Sequence, residues 1–235
     1  MITSKQNEMY KHLLKLKKAK YRYTHQEAVI FGHDLVDEAR KANKIINYLS
    51  TAPHGSHLVL SRELMDTLID YDMKEPIGAL VSIKQDTISY KGNILLCDTI
   101  QDPRNLGALI RSAHAFGFHK IILSPECVDP YHELALRAAK GSTFHLSIEV
   151  QSLTETILLL KKETYHIIAS SHLPQSQPQT NAYPCALILG NEGHGISKDV
   201  FELADAYFNI QTQGVDSLNV SVAGSIMMHQ LAEKA

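Results

Sequence analysis

Two hydrophobic rhythms divide this chain. Near its start Met9, Leu13 and Leu16 recur at helical spacing among lysines, predicting a helix over 5–18. Apolar runs at 28–31, 45–49, 58–60 and 79–83 predict strands, and helical patterns at 34–42 and 62–69 fall between them. The polar segment 84–92 reads as a linker. Beyond residue 93 the alternation is stricter. Strands are predicted at 94–97, 121–123, 145–150, 166–170, 186–189 and 206–210. Helices are predicted at 106–116, 131–139, 153–163, 198–204 and 218–233, with a Pro/Gln/Ser loop at 174–184. Such alternation implies a mostly parallel sheet covered on both faces. The expectation is an α/β protein with a small α/β unit at 1–83 and a larger domain at 93–235.

Chemistry concentrates where strands of the second domain give way to helices. At 102–111, DPRNLGALIR, Asp102 and Pro103 announce a helix start, and Asn105 and Gly107 fall in its first turn. Unpaired amides there suit an anion or a polar ligand edge. Arg104 and Arg111, two turns apart, share a helical face suited to phosphate. A capped helix with two solvated arginines explains that motif about equally well. At 189–195, LGNEGHG combines backbone freedom with one carboxylate, Glu192; its spacing matches neither a dinucleotide fingerprint nor a P-loop. At 217–221, SLNVS opens the last helix, with Ser217 as the expected N-cap and Asn219 in the first turn.

Together, in this order, the three motifs resemble the signature of the SpoU-type, TrmH-like branch of the SPOUT RNA methyltransferases. The resemblance runs from about residue 93 to the end. It implies transfer of a methyl group from S-adenosylmethionine to a ribose 2′-hydroxyl of RNA. It also implies a parallel sheet tied in a deep trefoil knot, and a homodimer with sites near the subunit interface. The N-terminal unit is similar to an L30e-like RNA substrate-binding domain. Carried over by position, Asn105, Arg111, Glu192, Ser217 and Asn219 would form the catalytic group. Leu189, Gly190, Asn191, Gly193, Ile210, Leu218 and Asn219 would hold the cofactor. The matching arginine is assigned in the family as a base. A guanidinium stays protonated at neutral pH, so Arg111 is read here as orienting phosphate and stabilising the oxyanion. The chain departs from the family pattern at Gln211 and Thr212, where many members carry Pro-Met, at Ala139 in place of serine, and at Phe31 in place of glutamate.

The formal net charge of -2 decides nothing about nucleic acid, because local distribution does. Lys15, Lys17, Lys18 and Arg22 cluster near the start with Tyr10, Tyr21 and Tyr23 among them. A solvated helix face is the default reading of such a run. Beside the catalytic motifs it becomes the expected RNA grip, together with Arg104. Ribosomal RNA is favoured over transfer RNA. A catalytically silent RNA binder and a metal-free small-molecule enzyme remain as competing readings.

Cys97, Cys127 and Cys185 are few, odd in number and widely spaced, which predicts a reduced protein without disulfides or zinc. His54 and His57 lack acidic or thiol partners nearby, so no metal is expected. Without a membrane-length apolar run or a secretory stretch at the start, a cytoplasmic location and no membrane partner are expected.

Overall fold

The computed structural model describes residues 1–55, 57–85, 92–171, 184–215 and 217–232. Residues 86–91 of the expected linker, 174–183 of the Pro/Gln/Ser loop, and Glu233 of the expected last helix lie outside the described residues. The chain divides into two compact units, Met1–Lys84 and Gln85–Ala235.

The first unit comprises α1 (Glu8–Lys15), α2 (Ala19–His25), β1 (Glu27–Phe31), α3 (His33–Lys41), β2 (Ile45–Ser50), β3 (Leu58–Val59), α4 (Arg62–Leu68) and β4 (Ile77–Ser82). Its sheet runs β1-β4-β2-β3, with β4 antiparallel to both neighbours and β3 parallel to β2. Leu13, Leu16, Leu64, Met65 and Leu80 fill its core. The helix predicted over 5–18 is shorter, Glu8–Lys15, and a second helix that the pattern did not predict follows at Ala19–His25. Asn7 caps the first, its side chain accepting from the Tyr10 N–H. Arg22 closes the other end, donating to the Leu16 and Lys17 carbonyls at 2.8 and 2.9 Å. Terminal carbonyls of a helix lack internal partners, and the guanidinium supplies one where the chain turns.

The second unit comprises β5 (Ile94–Cys97), α5 (Pro103–Ala115), β6 (Lys120–Leu123), α6 (Glu133–Ala139), β7 (Ser147–Val150), α7 (Leu153–Lys162), β8 (His166–Ser170), β9 (Cys185–Leu189), α8 (Lys198–Phe201), β10 (Ala206–Phe208) and α9 (Val220–Leu231). Its sheet runs β10-β8-β9-β5-β6-β7, and every neighbouring pair is parallel. Alternation along the strands serves two cores. Leu95, Cys97, Leu187 and Leu189 pack with Leu106, Leu109, Met227 and Met228 of α5 and α9. Ile94, Leu96, Ala186 and Ile188 pack with Leu153, Ile157 and Leu160 of α7. Burial on both faces is why these strands read as continuous apolar runs. The side chain of Asn93 is buried and ties three elements together. Its amide donates to the Leu231 carbonyl at 2.9 Å, and its oxygen accepts from the Cys185 N–H at 3.0 Å.

Several boundaries differ from expectation. The strand predicted over 145–150 starts at Ser147, because Ser142–Phe144 form a 3-10 turn first. The helix patterned from 106 starts at Pro103, where the Asp102-Pro103 signal put its start, with Asp102 accepting from the Arg104 N–H at 2.7 Å. The last helix starts at Val220 with Asn219 as its cap, not Ser217. Gly117, just past the end of α5, is left-handed, with φ +75.

Candidate active site

In an open parallel sheet, ligands bind beyond the carboxyl ends of the strands, where the strand order reverses. Here β5, β9 and β8 are neighbours, and their carboxyl ends lead into Asp98, Gly190 and Ser171. A cavity of about 1150 Å³ opens there, lined by residues of the 189–196 segment, the 209–220 segment and the inner side of α9.

The 190–196 loop is held by its own side chains. Asn191 donates to the Thr99 carbonyl at 2.8 Å, and its oxygen accepts from the Gly193 and His194 N–H groups. Main-chain bonds between Asn191 and Gly195 close the turn in both directions. Buried Asp98 accepts from the Ser197 N–H at 2.7 Å and so anchors the loop's exit to the end of β5. A Cβ at Gly190 would lie 2.3 Å from the Gly195 and Ile196 main chain. Only glycine fits that crossing.

Asn105, Glu192 and Asn219 meet at the rim of this cavity. Asn105 Nδ2 donates to Glu192 Oε1 at 2.8 Å, and Asn219 Nδ2 donates to Asn105 Oδ1 at 3.0 Å. All three motifs therefore contribute one side chain to a single hydrogen-bonded group. Glu192 and Asn219 are exposed and Asn105 half-buried, so the group can be reached by a large substrate.

Residues singled out from the sequence distribute unevenly. Leu189, Gly190, Asn191, Glu192, Ile210, Ser217, Leu218 and Asn219 line the cavity. Gly193 does not; its N–H is turned to Asn191. Arg104 and Arg111 are exposed on α5 and form no part of the cavity wall. Gln211 and Thr212 do line it, so the departure from Pro-Met falls on the wall itself.

In the first unit Lys15 and Lys18 are exposed, whereas Lys17 is engaged by Asp70 at 2.6 Å. Arg22 corrects the sequence expectation: it is 7% exposed and serves the end of α1, so it is not offered to RNA phosphate. Tyr10 is buried against Thr67 and Tyr21 packs on the core, which leaves Tyr23 as the exposed ring.

No cysteine is poised as a nucleophile. Burial pushes the Cys97 thiol well up, raises Cys127, and lifts Cys185 to about 12. Among the described residues no group of His, Cys, Asp and Glu could hold a metal ion. The sequence reading missed two contributors. Asp98 gives no signal, because an acid ending a strand is unremarkable. Ser221 was legible: Asn two residues before Ser at a helix start is a side-chain capping pattern.

Residues 92–229 match the model of the SpoU rRNA Methylase family. The chain belongs to that family. The 23S rRNA (guanosine(2553)-2'-O)-methyltransferase RlmP of Bacillus subtilis is 30% identical to it over 98% of both chains. An rRNA methyltransferase from Sinorhizobium meliloti is 25% identical, with TM-score 0.86 over 98% of this chain and 96% of that one. An AdoMet-bound rRNA methyltransferase from Sinorhizobium meliloti, also 25% identical, superposes with TM-score 0.84 over 98% of this chain and 96% of that one. The six-stranded parallel sheet of the second unit is thus the SpoU fold.

Proposed function

We infer that this SpoU-family protein methylates a ribose 2′-hydroxyl of RNA using S-adenosylmethionine, with ribosomal RNA ahead of transfer RNA as substrate. The observation that carries the reading is the Asn105–Glu192–Asn219 group at the rim of a large cavity. Pockets that hold drug-sized ligands are roughly 300–1,000 Å³, so the cavity has room for the cofactor and an entering nucleotide. Leu189, Ile210 and Leu218 offer apolar contact to an adenosine, while the backbone crossing at Gly190 keeps the wall close. When bound, the cofactor supplies an electrophilic methyl group.

The protein's own part is alignment and proton management. Holding the 2′-oxygen in line with the methyl carbon accounts for much of the barrier reduction. Glu192 is the titratable member of the rim group, and its carboxylate receives the hydroxyl proton as the oxygen–carbon bond forms. Asn105 and Asn219 orient that carboxylate. Arg111, exposed on α5, binds the RNA phosphate and stabilises the developing negative charge. Lys15, Lys18 and Tyr23 of the first unit grip RNA by charge and stacking.

The knotted threading of the family belongs to the same reading, since the 189–196 and 209–220 segments border one cavity and α9 packs behind them on α5 and β9. So do a homodimer and a cytoplasmic location; among the described residues no helix is long and apolar enough to cross a membrane. The decisive experiment maps 2′-O-methyl positions in total RNA with and without the gene. One ribosomal position should lose its methyl group, and wild-type protein should restore it. An unchanged map, with no cofactor binding by calorimetry, would favour the silent RNA binder.

A further inference from the structure

The hydrogen bonds of the rim group continue past Asn219. The Ser221 N–H donates to Asn219 Oδ1 at 2.9 Å, and the Ser221 hydroxyl donates to the same oxygen at 2.6 Å. A backbone N–H can only donate, so Asn219 must turn its oxygen toward Ser221 and its NH₂ toward Asn105. A carboxylate can only accept, so Asn105 must turn its NH₂ toward Glu192. Both amide orientations are fixed by these ends, whichever way either amide is drawn. Every donation then runs one way, from Ser221 through Asn219 and Asn105 to Glu192.

Behind Ser221 the chain is anchored in the fold. The Ser225 hydroxyl donates to the Ser221 carbonyl at 2.6 Å. Its single proton is thereby used, so at the 2.7 Å contact between the two hydroxyls Ser112 is the donor. That contact pins α9 to α5 about two turns along α5 from Asn105. Close approach is possible because Gly224 lies between: a Cβ there would be 2.6 Å from Leu109 Cδ2.

We propose that Ser221 is a positioning residue for methyl transfer, acting through Asn219 and Asn105 to set the rotation of the Glu192 carboxyl. It rests on the methyltransferase reading of this site. The terminal torsion of asparagine is broad, and without the hydroxyl Asn219 Oδ1 keeps a single bond, from the Ser221 N–H, beside the bond its NH₂ makes to Asn105. The hydroxyl adds a second, shorter bond on the oxygen that narrows the remaining rotation. Misplacement of a reacting group by about 1 Å can cost about a hundredfold in rate, so a partial loss of orientation should cost about tenfold.

The test compares Ser221→Ala with Ser221→Thr in the full chain. In Ser221→Ala, kcat should fall about tenfold, with the KM for RNA and the Kd for S-adenosylmethionine within about twofold of wild type. Ser221→Thr, which keeps the hydroxyl, should stay within about threefold. The side-chain NH₂ signals of Asn105 and Asn219 in ¹H–¹⁵N spectra should move in the alanine variant and not in the threonine variant. A kcat for Ser221→Ala within twofold of wild type, a threonine variant as impaired as the alanine one, or unmoved Asn105 signals would overturn the proposal. If wild type transfers no methyl group to RNA, the functional reading fails instead, and the amide signals still decide the role of Ser221.

Discussion

Asn105 Nδ2 donates to Glu192 Oε1 across 2.8 Å, although 87 positions separate the two residues. The meeting follows from one strand pairing. β5 and β9 run parallel side by side, with Cys97 opposite Leu189 at their carboxyl ends. Asn105 lies in the first turn of the helix that follows the first strand and Glu192 in the loop that follows the second, so the sheet brings both to one rim. The contact links a motif that opens a helix with one that forms a loop.

The proton-accepting role of Glu192 is tested by Glu192→Gln, which keeps length and the bond from Asn105. Turnover, followed as transfer of a tritiated methyl group to RNA, should fall about a hundredfold or more. Cofactor affinity by calorimetry should stay within about threefold. Wild-type turnover would remove Glu192 from the mechanism.

Arg111→Lys keeps the charge and loses the planar fork that matches phosphate. Most activity should disappear while cofactor affinity is nearly unchanged, because Arg111 is no part of the cavity wall. Undiminished turnover by this variant would refute the assignment.

The basic residues of the first unit should separate into two behaviours. Neutralising Lys15 and Lys18 together should weaken RNA binding and flatten its salt dependence by about 0.7–0.9 for each phosphate no longer neutralised. Arg22→Ala should instead lower the unfolding midpoint, since it strips the partners from two carbonyls at the end of α1. An unchanged salt slope in the lysine variant would count against the RNA grip.

Asn93→Ala should be among the more destabilising single changes in the second unit. It leaves the Cys185 N–H and the Leu231 carbonyl without the side-chain partner they have now. Each unsatisfied buried group costs about 1–3 kcal/mol, so denaturant titration should show a loss of that order or greater. A change under about 0.5 kcal/mol would show that water replaces the amide.

Asp205 gives the second unit an acid-sensitive contact. Burial alone would raise its carboxyl, but hydrogen bonds from Lys161 and the Ile167 N–H, with the charges of Lys161 and His166, outweigh that and hold it below the ordinary 3.8. A carboxyl lowered in the folded state stabilises the protein above its ordinary value, and the contribution drains away as pH falls below 3.8. The pair is partly solvated, so Asp205→Asn should cost no more than about 1 kcal/mol at neutral pH. At pH about 2 the difference from wild type should shrink toward zero. An equal loss at both pH values would contradict the linkage.

Where local pattern dominates, the sequence was a good guide. Ile94–Cys97 and His166–Ser170 are strands over the predicted residues, since short apolar runs buried on both faces leave little choice. Where a distant side chain decides, it was not. The break after α1 depends on Arg22 reaching back to Leu16, and a basic residue in a lysine-rich run does not advertise that use. At the site, the three motifs and the residues lining the cavity were legible. The placement of Arg111 outside the cavity wall and the internal use of Gly193 were not, because exposure and direction depend on what packs alongside.

The sequence by itself determined the alternation of strands and helices, the three junctions where polar and glycine residues gather, and the family to which those junctions point. These follow from periodicity and from residue chemistry over short stretches. Only the tertiary structure decided that Asn105, Glu192 and Asn219 form one hydrogen-bonded group, with Ser221 and Asp98 supporting it and Arg22 withdrawn from the surface. Side chains so distant in sequence meet according to the order of strands in the sheet and the packing of α9 on α5, and neither is written in any local pattern.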